Sequence, residues 1–122
     1  MGKQEGPTIA LTPQGMPLLY NSWSNGVLQG PFVRFHPDGT VAQQGRYERG
    51  QPQGRWSAYH ENGWPFEIGE YESGKRHGQW VFYFPNGGIY MRGLYRSGLR
   101  QDLWEIFWEG GGIAAKSLSE KS

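Results

Sequence analysis

Two histidines in this 122-residue chain are spaced so that they could bind a metal ion together. His36 and His60 lie 24 residues apart, each just before a predicted turn. Imidazole nitrogens are common zinc ligands, usually joined by cysteine or carboxylate. The chain has no cysteine, and the next positions at the same spacing hold Phe84 and Trp108. Two exposed strand-end histidines are therefore the simpler interpretation, and we expect no metal site and no cofactor.

A second group that could do chemistry is acidic. Glu67, Glu70 and Glu72 crowd one predicted strand, with Glu61 nearby. Paired carboxylates can serve as general acid and base. Equivalent positions elsewhere in the chain hold glutamine or arginine, which favours a solvated strand over an active site. We therefore expect no enzymatic activity and no small-molecule substrate.

The chain repeats itself with a period of 24 residues. Gly30, Gly54 and Gly78 are evenly spaced, and three units (30–53, 54–77 and 78–101) align without a gap. The shared positions are an aromatic pair (Phe32/Phe35, Trp56/Tyr59, Trp80/Tyr83), a turn pair (Asp38-Gly39, Asn62-Gly63, Asn86-Gly87) and a glycine–tyrosine–glycine set (Gly45/Tyr47/Gly50, Gly69/Tyr71/Gly74, Gly93/Tyr95/Gly98).

The 24-residue pattern continues toward both termini, where the units keep fewer of the shared residues. Residues 6–29 keep Gly6, Trp23 and Gly26, and residues 102–122 keep Trp104 and Gly110-Gly111 before a degenerate tail. Worn terminal units are typical caps of repeat proteins, because an end unit lacks one neighbour. Residues 1–122 are thus predicted to form one domain of about five units.

Each unit reads as a β-hairpin. The 20 glycines argue against helices, and aromatic residues at 16% supply enough apolar area to hold a fold. Asn62-Gly63 predicts a two-residue hairpin turn with both residues at positive φ. Consecutive hairpins predict an all-β, elongated single-layer antiparallel meander of roughly eight to ten strands.

The turn sets the predicted strand register. Counting outward from Asn62-Gly63 places Trp56 opposite Gly69 and Gly54 opposite Tyr71. We expect each large ring to lie over the glycine it faces, which restores contacts that a strand glycine lacks. The same count places Phe66 opposite Tyr59 on the other face.

Because both faces of one thin sheet carry rings, some apolar surface is expected to stay open, which usually indicates a partner. Tryptophan and tyrosine are frequent interface anchors. The candidate partner-binding residues form an aromatic ladder: Trp56, Tyr59, Tyr71, Trp80, Tyr83, Tyr95 and Trp104.

Basic side chains recur in the connections between hairpins. Lys75, Arg76, Arg96 and Arg100 could form a stripe that contacts anionic lipid headgroups, each contributing about 1 kcal/mol near such a surface. The alternative is a solubilising rim that protects the sheet edges. Acidic neighbours such as Glu72 favour the rim.

Charge and hydropathy bear on partners and location. The net charge of +1 argues against binding by phosphate neutralisation, so no nucleic acid is expected. No apolar run approaches the roughly 20 residues that span a bilayer, and residues 1–15 lack a hydrophobic signal core. We expect a cytoplasmic protein, with a peripheral position at a membrane or in a large complex as the alternative.

The pattern GxWxxYxxNG followed by GxYxxGxxxG resembles the MORN repeat family, and most closely its bacterial 24-residue variant. Gly54-Arg-Trp-Ser-Ala-Tyr59 with Gly69-Glu-Tyr71-Glu-Ser-Gly74 is the best example. The resemblance covers residues 30–111 well and 6–29 weakly. It implies an elongated sheet of hairpins without catalytic residues, used as an interaction scaffold.

The function implied by the resemblance is a scaffold or accessory subunit that binds protein partners, with itself, as a dimer, among the candidates. Some members of the family are linked to phospholipids and others organise complexes, and bacterial relatives often carry an antitoxin label. A phospholipid-binding module and an antitoxin-like protein are thus the alternative functions.

Overall fold

Alternating turns and aromatic runs along the chain fold into strands of a single antiparallel sheet. The computed structural model describes residues 3–117, which form 12 strands and no helix. The strands are β1 (Gly6–Leu11), β2 (Pro17–Ser24), β3 (Val27–Leu28), β4 (Gly30–Phe35), β5 (Val41–Glu48), β6 (Gln51–Pro52), β7 (Gly54–Tyr59), β8 (Pro65–Glu72), β9 (Lys75–Tyr83), β10 (Ile89–Arg96), β11 (Leu99–Phe107) and β12 (Ile113–Ser117).

Neighbours in sequence are neighbours in the sheet. The main path runs β1-β2-β4-β5-β7-β8-β9-β10-β11-β12, and the short strands β3 and β6 pair with β2 and β5. Every pairing is antiparallel. The predicted open antiparallel meander of hairpins is confirmed. Of the predicted tail, Ser117–Ser122, Ser117 ends β12 and the other five residues lie outside the described residues.

The predicted pairing inside each hairpin is also confirmed. Trp56 pairs with Gly69 and Gly54 with Tyr71, and the neighbouring hairpins repeat this arrangement. The worn first unit keeps it as well, since Gly6 pairs with Trp23. The 24-residue period in the sequence is thus a period of strand register.

The predicted two-residue turn at Asn62-Gly63 is wrong. The loop closes when the Gly63 amide donates to the His60 carbonyl and the His60 amide donates to the Trp64 carbonyl. Of the turn pair only Gly63 has a positive φ, 94°, as in a three-residue loop that ends in a glycine bulge. Register shifts at Tyr59 and Pro65 absorb the added residue, so Tyr59 faces Pro65 rather than Phe66.

The tightest turns lie between consecutive hairpins instead. Ser73 and Gly74 have φ of 52° and 83°, the positive pair that a type I′ hairpin turn requires. Each such turn donates from its glycine amide to the preceding unit, as from Gly74 to the Pro52 carbonyl at 3.2 Å. We call this side of the sheet the tight-turn edge; its turns are Asn25-Gly26, Arg49-Gly50, Ser73-Gly74 and Ser97-Gly98.

Consecutive hairpins join through a distortion at glycine. On β8 the single residue Gly69 faces the three residues Gly78 to Trp80 of β9, because the pairing jumps from Ile68–Val81 to Glu70–His77. Gly78 has φ of 72°, a conformation that side chains rarely adopt. This bulge turns the Trp80 ring back over the preceding hairpin.

The core therefore consists of tryptophan packed on glycine across unit boundaries. A Cβ added to Gly69 would lie 2.0 Å from a ring atom of Trp80, and Gly45 and Gly93 meet Trp56 and Trp104 in the same way. The expectation that each ring lies over its own hairpin partner is wrong: the ring covers the glycine of the preceding hairpin. Each tryptophan therefore contacts a strand of the preceding hairpin in addition to the strand that it pairs with in its own hairpin.

Candidate interaction site

Five of the seven predicted ladder residues, Trp56, Tyr71, Trp80, Tyr95 and Trp104, belong to one continuous stack of rings that also includes Phe32 and Tyr47. Successive ring centroids lie 5.0–6.2 Å apart with interplanar angles of 80–84°, the edge-to-face geometry that aromatic pairs prefer. In order, the stack is Phe32, Tyr47, Trp56, Tyr71, Trp80, Tyr95 and Trp104.

The tryptophans of the ladder belong to the core. Trp56, Trp80 and Trp104 are 4%, 1% and 0% exposed. The expectation that they present open sides to a partner is wrong. Each indole is enclosed by the backbone at the glycine that it covers and by the neighbouring tyrosine rings. We call this side of the sheet the tryptophan face.

The N–H group of each buried indole also has a hydrogen-bond acceptor. The Trp80 Nε1 donates to the Glu70 carbonyl at 2.9 Å, and the other two indoles donate to the equivalent carbonyls at 3.2 Å. That carbonyl belongs to the residue after the covered glycine, beside the bulge, and at Arg46 it also accepts from the Gln53 amide at 3.0 Å. Buried polar groups need such partners, so tryptophan fits this position better than another aromatic.

Tyr71 and Tyr95 are half-buried between the tryptophans. Their rings pack edge-on against the indoles, which leaves only part of each ring available to a partner. Tyr47 occupies the same position one unit earlier, and burial, together with the nearby Tyr71, raises its pKa. The main role of these tyrosines is therefore to stabilise the array rather than to bind a partner.

Tyr59 and Tyr83 lie on the other side of the sheet. Each lines a shallow depression, of about 530 Å³ around Tyr59 and about 360 Å³ around Tyr83. The larger crosses four strands and includes Val33, Arg55 and Ile68. We call this side the groove face. The structure thus divides the seven predicted residues between two faces.

Hydrogen bonds fix the Tyr59 side chain in the larger depression. Its hydroxyl accepts from Ser57 Oγ at 3.1 Å and from Gln44 Nε2 at 3.3 Å. Ser57 is buried and Gln44 exposed, so the ring stands at the floor of an open groove. Apolar walls with a few fixed polar groups are typical of binding sites.

The four basic residues predicted as a stripe are divided between the two faces. Arg76 lies over the Trp80 ring at 4.4 Å from its centroid and pairs with Glu67 at 3.4 Å. Arg100 lies over Trp104 at 5.5 Å. Strand alternation places Lys75 and Arg96 on the opposite side.

The environment of Arg76 also bears on its charge. Burial acts to lower the Arg76 pKa, but hydrogen bonding to Tyr71 and the charge of Glu67 outweigh burial and raise it. Arg76 is therefore a permanently charged side chain that is already engaged within the chain.

The histidines tie consecutive loops together. His36 Nε2 lies 2.8 Å from the Tyr59 carbonyl, and His60 Nε2 lies 3.1 Å from the Tyr83 carbonyl. A carbonyl only accepts, so each Nε2 carries the hydrogen. Both are half-buried, which corrects the expectation of exposed strand ends. Among the side chains that the structure describes, no three or more histidine, aspartate or glutamate residues form a group that could hold a metal ion.

Sequence reasoning missed one exposed aromatic group. Large side chains stand open beside the loops that close each hairpin: Trp64, Phe66, Tyr90 and Trp108. Trp64 has no aromatic counterpart in the other units, where Thr40 and Gly88 occupy its position. Because the repeat does not require a large ring at this position, Trp64 is the sequence signal that could have indicated this exposed aromatic group.

The part of the chain described by the structure contains no helix long and apolar enough to cross a membrane.

Comparison with known families agrees with this geometry. A family model described as MORN repeat variant matches residues 28–49, 52–73 and 76–97. Together these segments cover more than half of the chain, and they begin 24 residues apart, as the bulges do. No curated protein matches the sequence. MORN repeats are generally non-catalytic. The chain belongs to the MORN repeat family, in its variant form.

Proposed function

We propose that this protein is a non-catalytic cytoplasmic scaffold, an accessory subunit that binds a protein partner along its groove face. The open depression around Tyr59 is the observation that carries the proposal. It combines about 530 Å³ of space with a lining of apolar, hydrogen-bonding and basic side chains.

The groove suits an extended segment of a partner. It crosses β4, β5, β7 and β8 and alternates apolar walls at Val33 and Ile68 with hydrogen-bonding groups at Gln44 and Arg55. Tyrosine at the centre of such a surface is a frequent energetic anchor of protein interfaces. Repetition of the depression around Tyr83 would let the contact continue along the array.

The distribution of basic side chains supports protein over anionic lipid as the partner. A lipid surface gains from several cations on one side. Here Arg76 pairs with Glu67, and Lys75 and Arg96 point to the other face.

Capture from the native source tests the proposal. Three baits are compared: the parent protein, a groove variant and a matched control. The groove variant carries Val33→Glu and Ile68→Glu, which place two carboxylates in the groove. The matched control carries Ile9→Glu and Leu11→Glu, two exposed apolar positions outside it. Circular dichroism and thermal unfolding establish that both variants are folded.

We expect a protein captured at fixed stoichiometry by the parent and the control bait but lost from the groove variant. Equal capture by the folded groove variant would overturn the groove as the binding surface. Capture of nothing by the parent would overturn the scaffold function.

A further inference from the structure

The loops that close the hairpins form a second exposed surface, the loop edge, opposite the tight-turn edge. It consists of loop 12–16 of the first hairpin and the four loops of the later hairpins, 36–40, 60–64, 84–88 and 108–112. Trp64 and Trp108 are 53% and 66% exposed, far more than the core tryptophans. Phe66 and Tyr90 stand exposed beside them.

This edge is held in place before any partner arrives. The Trp64 ring lies against the next loop, where a Cβ added to Gly87 would meet it at 3.0 Å. The Asn62 side-chain amide donates to the Pro85 carbonyl at 2.7 Å. One face of the Trp64 ring is thus fixed on backbone while the ring remains half open. A preorganised surface loses less entropy on binding.

The charge of the loop edge is of one sign. Asp38, Glu61 and Glu109 are exposed, and the four loops contain no lysine or arginine. Within residues 3–117, none of these three carboxylates is among the observed ion pairs. The tight-turn edge, by contrast, carries Arg49 and Lys75.

Loops that carry both a carboxylate and an open indole ring suit cationic side chains. Glu61 shares a loop with Trp64, and Glu109 follows Trp108 directly. A lysine or arginine can pair with the carboxylate while it stacks on the ring. The two loops are separated by four strand spacings, or about 19 Å, with Tyr90 and Phe84 in contact between them at 5.0 Å.

We propose that the loop edge binds an extended basic segment of a partner protein, with two cationic side chains about six residues apart and apolar residues between them. One cation stacks on Trp64 beside Glu61, and the other on Trp108 beside Glu109. The inference rests on the scaffold function but uses a surface separate from the groove.

A synthetic peptide tests this with the full chain. The probe has seven residues, arginine at the first and last positions and leucine and serine between. The matched peptide has the same composition with its two arginines adjacent. Binding is followed by NMR through the indole Nε1–H resonances, which report each tryptophan separately.

We expect saturable shifts at Trp64 and Trp108, no shift at Trp56 or Trp80, and weaker binding of the adjacent-arginine peptide. Glu61→Gln with Glu109→Gln should raise the dissociation constant about fivefold. Glu70→Gln with Glu72→Gln, which removes the same charge elsewhere, should leave the constant unchanged.

The proposal is overturned if millimolar probe gives no saturable shift, if both peptides bind equally, or if the two double variants weaken binding equally. None of these results alters the capture result for the groove face, so the two hypotheses fail separately.

Discussion

At the scale of single residues, glycine and tryptophan act as one unit. Gly69 has no side chain because the indole of Trp80 occupies that space, at 2.0 Å from where a Cβ would lie. The indole is held at this location because the carbonyl of Glu70 accepts its N–H at 2.9 Å. Neither residue tolerates change without the other.

Substitution of the covered glycine tests this pairing. Gly69→Ala should lower the free energy of unfolding by about 3 kcal/mol, since overpacking a filled site costs about 1–3 kcal/mol and here the obstacle is a rigid ring. Urea denaturation measures the change.

Gly110→Ala is the matched control. A Cβ at Gly110 meets nothing within 4 Å, so its stability should remain within about 0.5 kcal/mol of the parent. A stable Gly69→Ala variant would show that the ring does not rest on this glycine.

At the scale of elements, two turn types alternate and set the geometry of the sheet. The loop His60–Trp64 ends in a glycine bulge, whereas Ser73-Gly74 and Ser97-Gly98 have both residues at positive φ. Each tight turn is hydrogen-bonded to the preceding unit. The turns, together with the strand pairing, therefore fix the 24-residue period of the sheet.

The tight turns predict opposite effects of two substitutions at Ser97, whose φ is 52°. Ser97→Asn should raise the free energy of unfolding by about 0.5 kcal/mol, because asparagine tolerates this conformation and favours type I′ turns. Ser97→Val should lower it by about 1 kcal/mol, because a β-branched residue is strained there.

Thermal and urea denaturation of the two variants measure both effects. The reverse order of stability would exclude a positive φ at this position.

The sequence was sufficient to predict the hairpins, their pairing and the open sheet, because glycine and aromatic positions recur in one frame. It was insufficient for the turn at Asn62-Gly63, since the same dipeptide serves both a two-residue turn and a loop with a bulge. It was also insufficient for the burial of Trp80, because the covering contact depends on a bulge between units that no single hairpin contains.

At the scale of the whole molecule, the described residues form a one-dimensional stack in which the main contacts of each hairpin are with its neighbours. Stability of such a protein is close to a sum over units and their interfaces. The tryptophan face carries the repeated core contacts and the tight-turn edge the type I′ turns, and we propose the groove face and the loop edge as the surfaces that bind partners.

Removal of a unit in frame should therefore preserve the fold. Deletion of residues 54–77 joins Gln53 to Gly78 and brings Trp80 to the position of Trp56 over Gly45. The shortened chain should keep its β-sheet circular dichroism and unfold cooperatively, with a lower free energy of unfolding.

Deletion of residues 54–65 is the control, because it removes half a unit and breaks the register of every later strand. It should abolish cooperative unfolding. If both deletions behaved alike, the 24-residue register would not be what holds the array.

Hydrogen exchange of the indole Nε1–H groups, followed by NMR, tests most directly whether the tryptophan–glycine stack forms the core of the array. The protons of Trp56, Trp80 and Trp104 should exchange as slowly as global unfolding allows, because each is buried and donates to a backbone carbonyl. Those of Trp64 and Trp108 should exchange within the first spectrum. Rapid exchange at all five would contradict the buried stack.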